Sequence, residues 1–136
     1  MLAFAFQWNP KMDLNAVEQL KKVLSSITIE KDQIIYEEGE PLGDGYILSL
    51  GKVQLFKNTS DGKLAEKQTI NSMQVFGVWN SILGNNVRLF TAKALEKSSA
   101  LIIPKATLDK KLSTLDPFLR LLFRQALSNS ENFGSL

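Results

Sequence analysis

Residues 27–103 constrain the fold most, because short runs of β-forming residues follow one another there with polar turns between them. Each run is rich in Ile, Val, Tyr or Phe, and Gly, Asn, Asp or Ser separates it from the next. The runs occupy residues 27–29, 33–36, 46–48, 53–57, 64–70, 89–94 and 100–103. Short strands at such regular spacing predict an antiparallel sandwich or barrel rather than a parallel sheet with crossover helices.

Helical periodicity precedes and follows this region. Asp13 is placed to cap a helix that runs to about Ser25 and repeats apolar residues at spacings of three and four: Leu14, Val17, Leu20 and Leu24. A short helix is predicted at 107–112, and Asp116 and Pro117 are typical of the start of a second one. The predicted fold is mainly β: an antiparallel double-stranded β-roll, similar to a jelly roll, with one N-terminal helix and two C-terminal helices.

All 136 residues fit one domain on this prediction. An N-terminal arm and helix occupy 1–26, the β-roll 27–103, the C-terminal helices 104–128 and a tail 129–136. The arm carries alternating Leu2, Phe4, Phe6 and Trp8, which is strand-like. The arm lacks a basic segment, and no apolar run approaches the ~20 residues that span a bilayer, so we expect no membrane span and a cytoplasmic location.

The absence of two residue types limits the chemistry. The sequence has 0 His and 0 Cys, which removes the commonest general base, thiolate nucleophiles and most transition-metal ligands. A metal-binding cupin, which also builds on a β-roll, is excluded for the same reason. Glu37, Glu38 and Glu40 could act as paired carboxylates, but no nucleophile or metal ligand accompanies them, so we interpret them as a solvated turn. We expect no catalytic residue, no metal and no enzyme activity.

Two segments carry a family resemblance: DQIIYEEGE at 32–40 and GYILSLGKVQL at 45–55. They resemble the cyclic-nucleotide-binding domain family, which includes the catabolite-activator and protein-kinase-A regulatory domains. The resemblance extends over about residues 14–127. Physical reasoning agrees with it, because Gly39 and Gly51 fall at sharp strand corners, where a positive φ or a close backbone approach favours glycine.

A third segment resembles the phosphate-binding cassette of that family. Phe76-Gly77 is followed by Val87-Arg88 and then by Ala94 at the family's spacing. The resemblance implies that helix-start amides after Gly77 and the guanidinium of Arg88 bind the cyclic phosphate, which is a sound anion site. The alternative interpretation of Arg88 is a surface arginine at the start of a strand.

The cassette departs from the family pattern at the positions that contact the sugar. Val78 stands where the family has a Glu that accepts the ribose hydroxyl, and Leu89 and Phe90 stand where it has a small hydroxyl residue and Ala. Ile82 and Leu83, together with Trp79, fit either a ligand pocket or the core side of a short helix. The predicted ligand-binding residues are Gly77, Val78, Trp79, Arg88 and Leu89.

Two functions remain open from the sequence. One is a regulatory module that binds a cyclic nucleotide such as cAMP or cGMP, or another phosphorylated small molecule, with relaxed selectivity and no other cofactor. The other is a ligand-free β-roll that serves as a dimerisation or docking module. Direct DNA binding is not expected, because the net charge is only +2 and nine residues after Leu127 cannot form a helix-turn-helix.

The C-terminal helix is the predicted dimer contact. It is richer in apolar residues than one core-facing stripe requires, and one face of it is expected to cover the β-roll. The residues assigned to the dimer are Phe118, Leu121, Leu122 and Phe123. The resemblance implies the same pairing, since catabolite-activator-like domains pair through the corresponding helix. The N-terminal arm, residues 1–9, is the competing interface.

Overall fold

The computed structural model describes residues 11–78 and 86–129, without the side chains of Phe123 and residues 126–129. Four sequence predictions therefore lie outside the described residues. They concern the arm at 1–9, the predicted pocket or core role of Trp79, Ile82 and Leu83, the side chain of Phe123 and the part of the tail after 129.

Eight strands lie between one helix and a pair of helices in the described residues. Helix α1 spans Leu14–Leu20, α2 spans Lys105–Ser113 and α3 spans Pro117–Asn129. The strands are β1 (Ser26–Ile29), β2 (Ile34–Tyr36), β3 (Gly45–Leu50), β4 (Lys52–Asn58), β5 (Leu64–Asn71), β6 (Val75–Phe76), β7 (Thr91–Ala94) and β8 (Ser98–Ile103). Apart from β6, this order of elements is the predicted one.

The strands form two four-stranded sheets, with the orders β1-β8-β3-β6 and β2-β7-β4-β5. Every pairing within them is antiparallel, which confirms the β-roll with flanking helices. The prediction missed β6, because two residues are too short for a recognisable alternation. It also started the seventh strand too early, at Leu89, whereas Leu89 and Phe90 form a bend and β7 begins at Thr91.

The main core lies between the two sheets, and its members are apolar side chains from both. They include Ile29, Tyr36, Leu48, Val53, Leu55, Ile70, Phe76, Phe90, Ala92, Ala94 and Ala100. A second cluster joins Val17 of α1 to Ile47 and Leu101, so the apolar stripe of α1 covers the outer face of the first sheet.

Helix α1 starts as predicted and ends earlier than predicted. The Ala16 N–H donates to Asp13 Oδ1 at 2.7 Å, which is the expected cap. The helix was predicted to reach about Ser25, but it ends at Leu20. The N–H of Val23 bonds to the Leu20 carbonyl three residues back at 3.0 Å, and such tightened bonds are typical of a terminating turn.

The two corner glycines have the backbone that the sequence predicted. Gly39 has φ +89° and Gly51 has φ +110°. At Gly51 a second reason applies, because a Cβ would overlap the side chain of Ser98. The Ser98 hydroxyl accepts the Lys52 N–H at 3.2 Å and donates to the Glu96 carbonyl at 2.8 Å, so this corner is tightly fitted.

The C-terminal helices begin with different caps. Helix α3 starts as predicted, with the Phe118 N–H donating to Asp116 Oδ1 at 2.8 Å. Helix α2 is longer than the predicted 107–112, because it begins at Lys105, whose N–H donates to Asp44 Oδ1 at 2.8 Å. That cap comes from the loop before β3 and is invisible to local sequence patterns. Of the described helices, none is both long and apolar enough to cross a membrane.

The apolar side chains described on α3 face solvent. Phe118 is 66%, Leu121 55% and Leu122 46% exposed. The face that was expected to cover the β-roll was not assigned to particular residues, and the side chains of Phe123 and residues 126–129 are outside the described residues. That expectation therefore stays a prediction.

Candidate functional site

Arg88 lies at the centre of the candidate site and is buried, with only 4% of its surface exposed. Its Nη1 donates to the Gly77 carbonyl at 2.8 Å and its Nη2 to the Asp44 carbonyl at 2.5 Å. Its Cζ lies 4.0 Å from the centroid of the Tyr36 ring. The interpretation of Arg88 as a surface residue at a strand start is wrong, because the folded loops enclose its guanidinium.

A short backbone pairing brings Arg88 to this place. Its N–H donates to the Glu40 carbonyl and its carbonyl accepts the Gly39 N–H, each at 2.8 Å. The Leu42 N–H donates to the Asn86 carbonyl at 2.9 Å, which extends the same pairing. The positive φ of Gly39 turns the chain into this alignment. The chain between β2 and β3 therefore fixes the backbone from which Arg88 projects.

Three aromatic rings form a layer beside the guanidinium. The centroids of Tyr36 and Tyr46 are 6.4 Å apart, and those of Tyr46 and Phe76 are 5.2 Å apart. Burial raises the pKa of Tyr36 well above its usual range, although the charge of Arg88 opposes the rise. Burial also raises the pKa of Tyr46. Both phenols therefore stay neutral, and the face of Tyr36 attracts the cation.

Gly77 fits this site in backbone conformation and in space. Its φ is +78°, and a Cβ there would lie 3.0 Å from Arg88 Nη1 and 3.3 Å from Tyr36 Cε2. The structure thus brings Gly77 and Arg88 together, as the cassette resemblance implied. Sequence reasoning missed Tyr36 and Asp44, although Tyr36 lies within the segment that carried the resemblance.

Val78, the residue that replaces the expected Glu, is a packing residue here. It is 5% exposed, and a Cβ at Gly45 would overlap its Cγ1. An aliphatic side chain has no hydrogen-bond acceptor, so this position offers nothing to a sugar hydroxyl.

The contact between Gly45 and Val78 leads to a stability prediction. We expect Gly45→Ala to lower the free energy of unfolding by about 1–3 kcal/mol, because the added methyl displaces Val78 in a packed site. We expect Gly45→Ala combined with Val78→Ala to lose less than the sum of the two single changes, since the smaller side chain makes room. Chemical unfolding of the four proteins measures this, and strict additivity would show that the two side chains do not interfere.

Leu89 and Phe90 turn toward the core rather than standing free. Phe90 is 5% exposed and half-buried Leu89 packs against the same cluster. Lys57 holds this bend, because its Nζ donates to the Leu89 carbonyl at 3.0 Å and lies 5.5 Å from the centroid of the Phe90 ring. The assignment of Leu89 to ligand binding stays a prediction.

The acidic turn is solvated only in part. Glu37 and Glu40 are exposed, as expected for a turn. Glu38 is half-buried: it accepts the Asn58 N–H at 2.8 Å and pairs with Lys57 Nζ at 3.3 Å. Glu38 therefore ties this turn to the end of β4. Over residues 11–78 and 86–129, no cluster of three or more acidic, His or Cys side chains is arranged to hold a metal ion.

Comparison with known proteins places this architecture in a family. The model of the family described as "Cyclic nucleotide-binding domain" matches residues 26–114. A search of curated proteins finds no significant match.

Solved structures agree with the family match. The cAMP-bound form of the EAL enzyme Bd1971 is 30% identical with a TM-score of 0.69, and the match covers 77% of this chain and 28% of that one. This chain therefore spans less than a third of that enzyme chain. A transcriptional regulator from Thermotoga maritima is 24% identical with a TM-score of 0.66, covering 91% of this chain and 93% of the regulator.

A third structure, FixK2 from Bradyrhizobium japonicum, is 22% identical with a TM-score of 0.66, covering 82% of this chain and 54% of FixK2. At these identities, the Thermotoga maritima and Bradyrhizobium japonicum structures support the fold alone. The family match contains all the described strands, every described pairing in the two sheets is antiparallel, and the cassette residues Gly77 and Arg88 are in contact. This chain belongs to the cyclic nucleotide-binding domain family.

Proposed function

We propose that this chain is a regulatory module that senses a cyclic nucleotide, whose phosphate binds to Arg88 beside Gly77. The observation that carries the proposal is the guanidinium of Arg88, which is fixed 2.8 Å from the Gly77 carbonyl and stacked on Tyr36. The EAL enzyme Bd1971 supports it, because its matching structures include cAMP-bound and cGMP-bound forms, each 30% identical to this chain. The EAL activity of that enzyme is not part of the proposal.

A phosphate that binds to Arg88 must compete with the hydrogen-bond acceptors that Arg88 already has. Both described acceptors, the carbonyls of Gly77 and Asp44, are neutral. A phosphate competes with them effectively, because hydrogen bonds between a guanidinium and a phosphate are charge-assisted and roughly twice as strong as neutral ones. Binding therefore exchanges internal hydrogen bonds of the protein for bonds to the ligand.

Val78 sets the selectivity. A ribose hydroxyl that finds no acceptor costs roughly 1–3 kcal/mol, which is about a 5- to 150-fold loss of affinity. Because position 78 supplies no acceptor for the 2′-hydroxyl, the site has no reason to prefer a ribonucleotide over its 2′-deoxy form. We infer weak binding with relaxed selectivity.

Calorimetric titration tests the proposed function directly. We expect cAMP and cGMP to bind, 2′-deoxy-cAMP to bind at least as tightly as cAMP because it has no unpaired 2′-hydroxyl, and Arg88→Ala to abolish all three. Arg88→Lys keeps a charge and should weaken binding, whereas Arg124→Ala on α3 serves as the matched control and should bind like wild type. Absence of heat with every cyclic nucleotide at ~5 mM, or full affinity in both Arg88 variants, overturns the proposal.

A second role is favoured by a separate observation, the exposed apolar side chains of α3. We propose that this helix joins two copies of the chain, as Phe118, Leu121 and Leu122 expose much of their surface. Apolar patches of this kind on a soluble domain mark interaction sites. A two-fold interface would place the same side chains opposite one another. Dimerisation is compatible with ligand sensing, and it is the whole function if no ligand binds.

A cytoplasmic location also remains a proposal.

Sedimentation tests the dimer. At ~50 μM we expect wild type to be dimeric and Leu121→Asp to be monomeric, because a charge at the centre of an apolar contact costs several kcal/mol. Lys110→Asp changes an exposed residue of α2 and should leave the dimer intact. A chain without residues 1–9 should also stay dimeric. If only removal of residues 1–9 abolishes the dimer, the interface is formed by that arm and not by α3. If wild type is monomeric at this concentration, the proposed dimer is excluded.

A further inference from the structure

Lys57 contacts two other segments of the chain beside the cassette. Its Nζ donates to the Leu89 carbonyl at 3.0 Å and lies 3.3 Å from Glu38 Oε2. The same Nζ lies 5.5 Å from the centroid of the Phe90 ring, within the range of a cation–π contact. One ammonium group at the end of β4 therefore contacts both the turn after β2 and the bend that follows Arg88.

Glu38 completes this junction with both its backbone and its side chain. Its N–H donates to the Thr91 hydroxyl at 3.0 Å, and its Oε1 accepts the Asn58 N–H at 2.8 Å. The carboxylate thus bonds to the end of β4 and holds Lys57 Nζ at the same time. Because Thr91 begins β7, Glu38 fixes the far end of the bend while Lys57 fixes its middle.

The bend affects where the side chain of Arg88 lies. The backbone of Arg88 bonds to the turn after β2 through both its N–H and its carbonyl. Leu89 and Phe90 lie outside the strands, so regular sheet pairing does not hold the peptide unit between them. The Leu89 carbonyl accepts from Lys57 instead. Rotation of that peptide unit would change the backbone angles next to Arg88, whose buried guanidinium has closely fitted acceptors.

We propose that Lys57, held by Glu38, is a positioning residue that aims Arg88 at an anion. Its ammonium group fixes the Leu89 carbonyl, and the fixed bend keeps the guanidinium in the place where it meets the phosphate. Hydrogen bonds from a charged donor are stronger than neutral ones, so loss of this bond loosens the bend. That Lys57 fixes the bend stands on the contacts above, whereas its effect on a ligand rests on the proposed function.

Calorimetric titration with cAMP tests the inference, because positioning and simple charge attraction predict opposite signs for one variant. Lys57→Met removes a positive charge, and Glu38→Met removes a negative charge. We expect both to weaken cAMP binding about fivefold, since part of the free energy of the lost bond is transmitted to Arg88. Lys57→Arg keeps a charged donor and should bind within about twofold of wild type. Lys63→Met, the matched control, removes the same charge from an exposed position of the same hairpin and should bind like wild type.

Hydrogen exchange in the ligand-free protein tests the same contact without cAMP. The Gly39 amide bonds to the Arg88 carbonyl, and the Ile102 amide of the first sheet bonds to the Ser25 carbonyl, each at 2.8 Å. We expect Lys57→Met to raise the ratio of the Gly39 rate to the Ile102 rate about threefold, and Lys57→Arg to leave it unchanged. Global opening speeds both amides, so the ratio stays informative if Lys57→Met lowers the stability of the whole chain.

The outcomes distinguish this inference from the proposed function. If Glu38→Met tightens cAMP binding while Lys57→Met weakens it, the ammonium group acts through its charge alone and the inference is overturned. If wild type and Lys57→Met bind cAMP equally well, the inference is overturned and the proposed function stands. If neither binds cAMP but Lys57→Met raises the exchange ratio, the proposed function fails and the fixing of the bend stands. An unchanged exchange ratio overturns the inference whether or not cAMP binds.

Discussion

Arg88→Ala is expected to lower the free energy of unfolding by about 2–5 kcal/mol, in addition to its effect on ligand binding. The change leaves the half-buried carbonyls of Gly77 and Asp44 without this donor, and an unpaired polar group costs up to about 1–3 kcal/mol, the more so the deeper it is buried. It also empties the space over the Tyr36 ring, where the guanidinium lies 4.0 Å from the centroid. Urea unfolding followed by circular dichroism measures the loss.

The controls for this prediction are two milder changes. Arg88→Lys keeps the aliphatic stem and one charged donor group, so it should lose less than Arg88→Ala. Lys22→Ala changes an exposed residue after α1 and should stay within about 0.5 kcal/mol of wild type. If the Arg88→Ala protein is as stable as wild type, the buried guanidinium of Arg88 does not stabilise the loops around it.

Gly51→Ala is expected to lower the free energy of unfolding by about 2–6 kcal/mol. A φ of +110° strains any residue with a Cβ, at a cost of about 1–3 kcal/mol. The methyl would also overlap the side chain and Cα of Ser98, which is 2% exposed and cannot move into solvent. The overlap adds a packing cost of about 1–3 kcal/mol. Thermal and urea unfolding of the variant measure the sum.

Gly62→Ala is the matched control for this corner. Its φ is +82°, but no atom lies within 4 Å of the position that a Cβ would take. The backbone strain is therefore present without the collision, and we expect a loss of about 1 kcal/mol. A Gly51→Ala loss no greater than that of Gly62→Ala would show that the contact with Ser98 contributes nothing.

Most of the fold was predictable, because its determinants are local. Alternating apolar residues mark β4 and β5, and the Asp13 and Asp116 caps mark the starts of two helices. The boundaries that were wrong depend on tertiary contacts. Helix α2 begins at Lys105 because distant Asp44 caps it, and β6 exists because Phe76 pairs with Tyr46.

The site was predictable only at its two family positions. The resemblance to the phosphate-binding cassette implied that Gly77 and Arg88 would meet, and Arg88 Nη1 does donate to the Gly77 carbonyl at 2.8 Å. No spacing rule indicates that Asp44, 44 residues before Arg88, would accept from it, or that Tyr36 would lie under it. Such contacts follow from how loops between sheets fold onto one another, which a single sequence does not encode as a pattern.

We propose that the guanidinium of Arg88 is the phosphate-binding group of this domain. The most direct measurement is an NMR titration of ¹⁵N-labelled protein with cAMP that follows the side-chain signal of Arg88 and the amide of Gly77. We predict that both signals shift together and saturate with one dissociation constant, while the amides of the α1 cap at Asp13 stay unchanged. Signals of Arg88 and Gly77 that do not move at ~5 mM cAMP, or shifts confined to another part of the chain, would contradict the account.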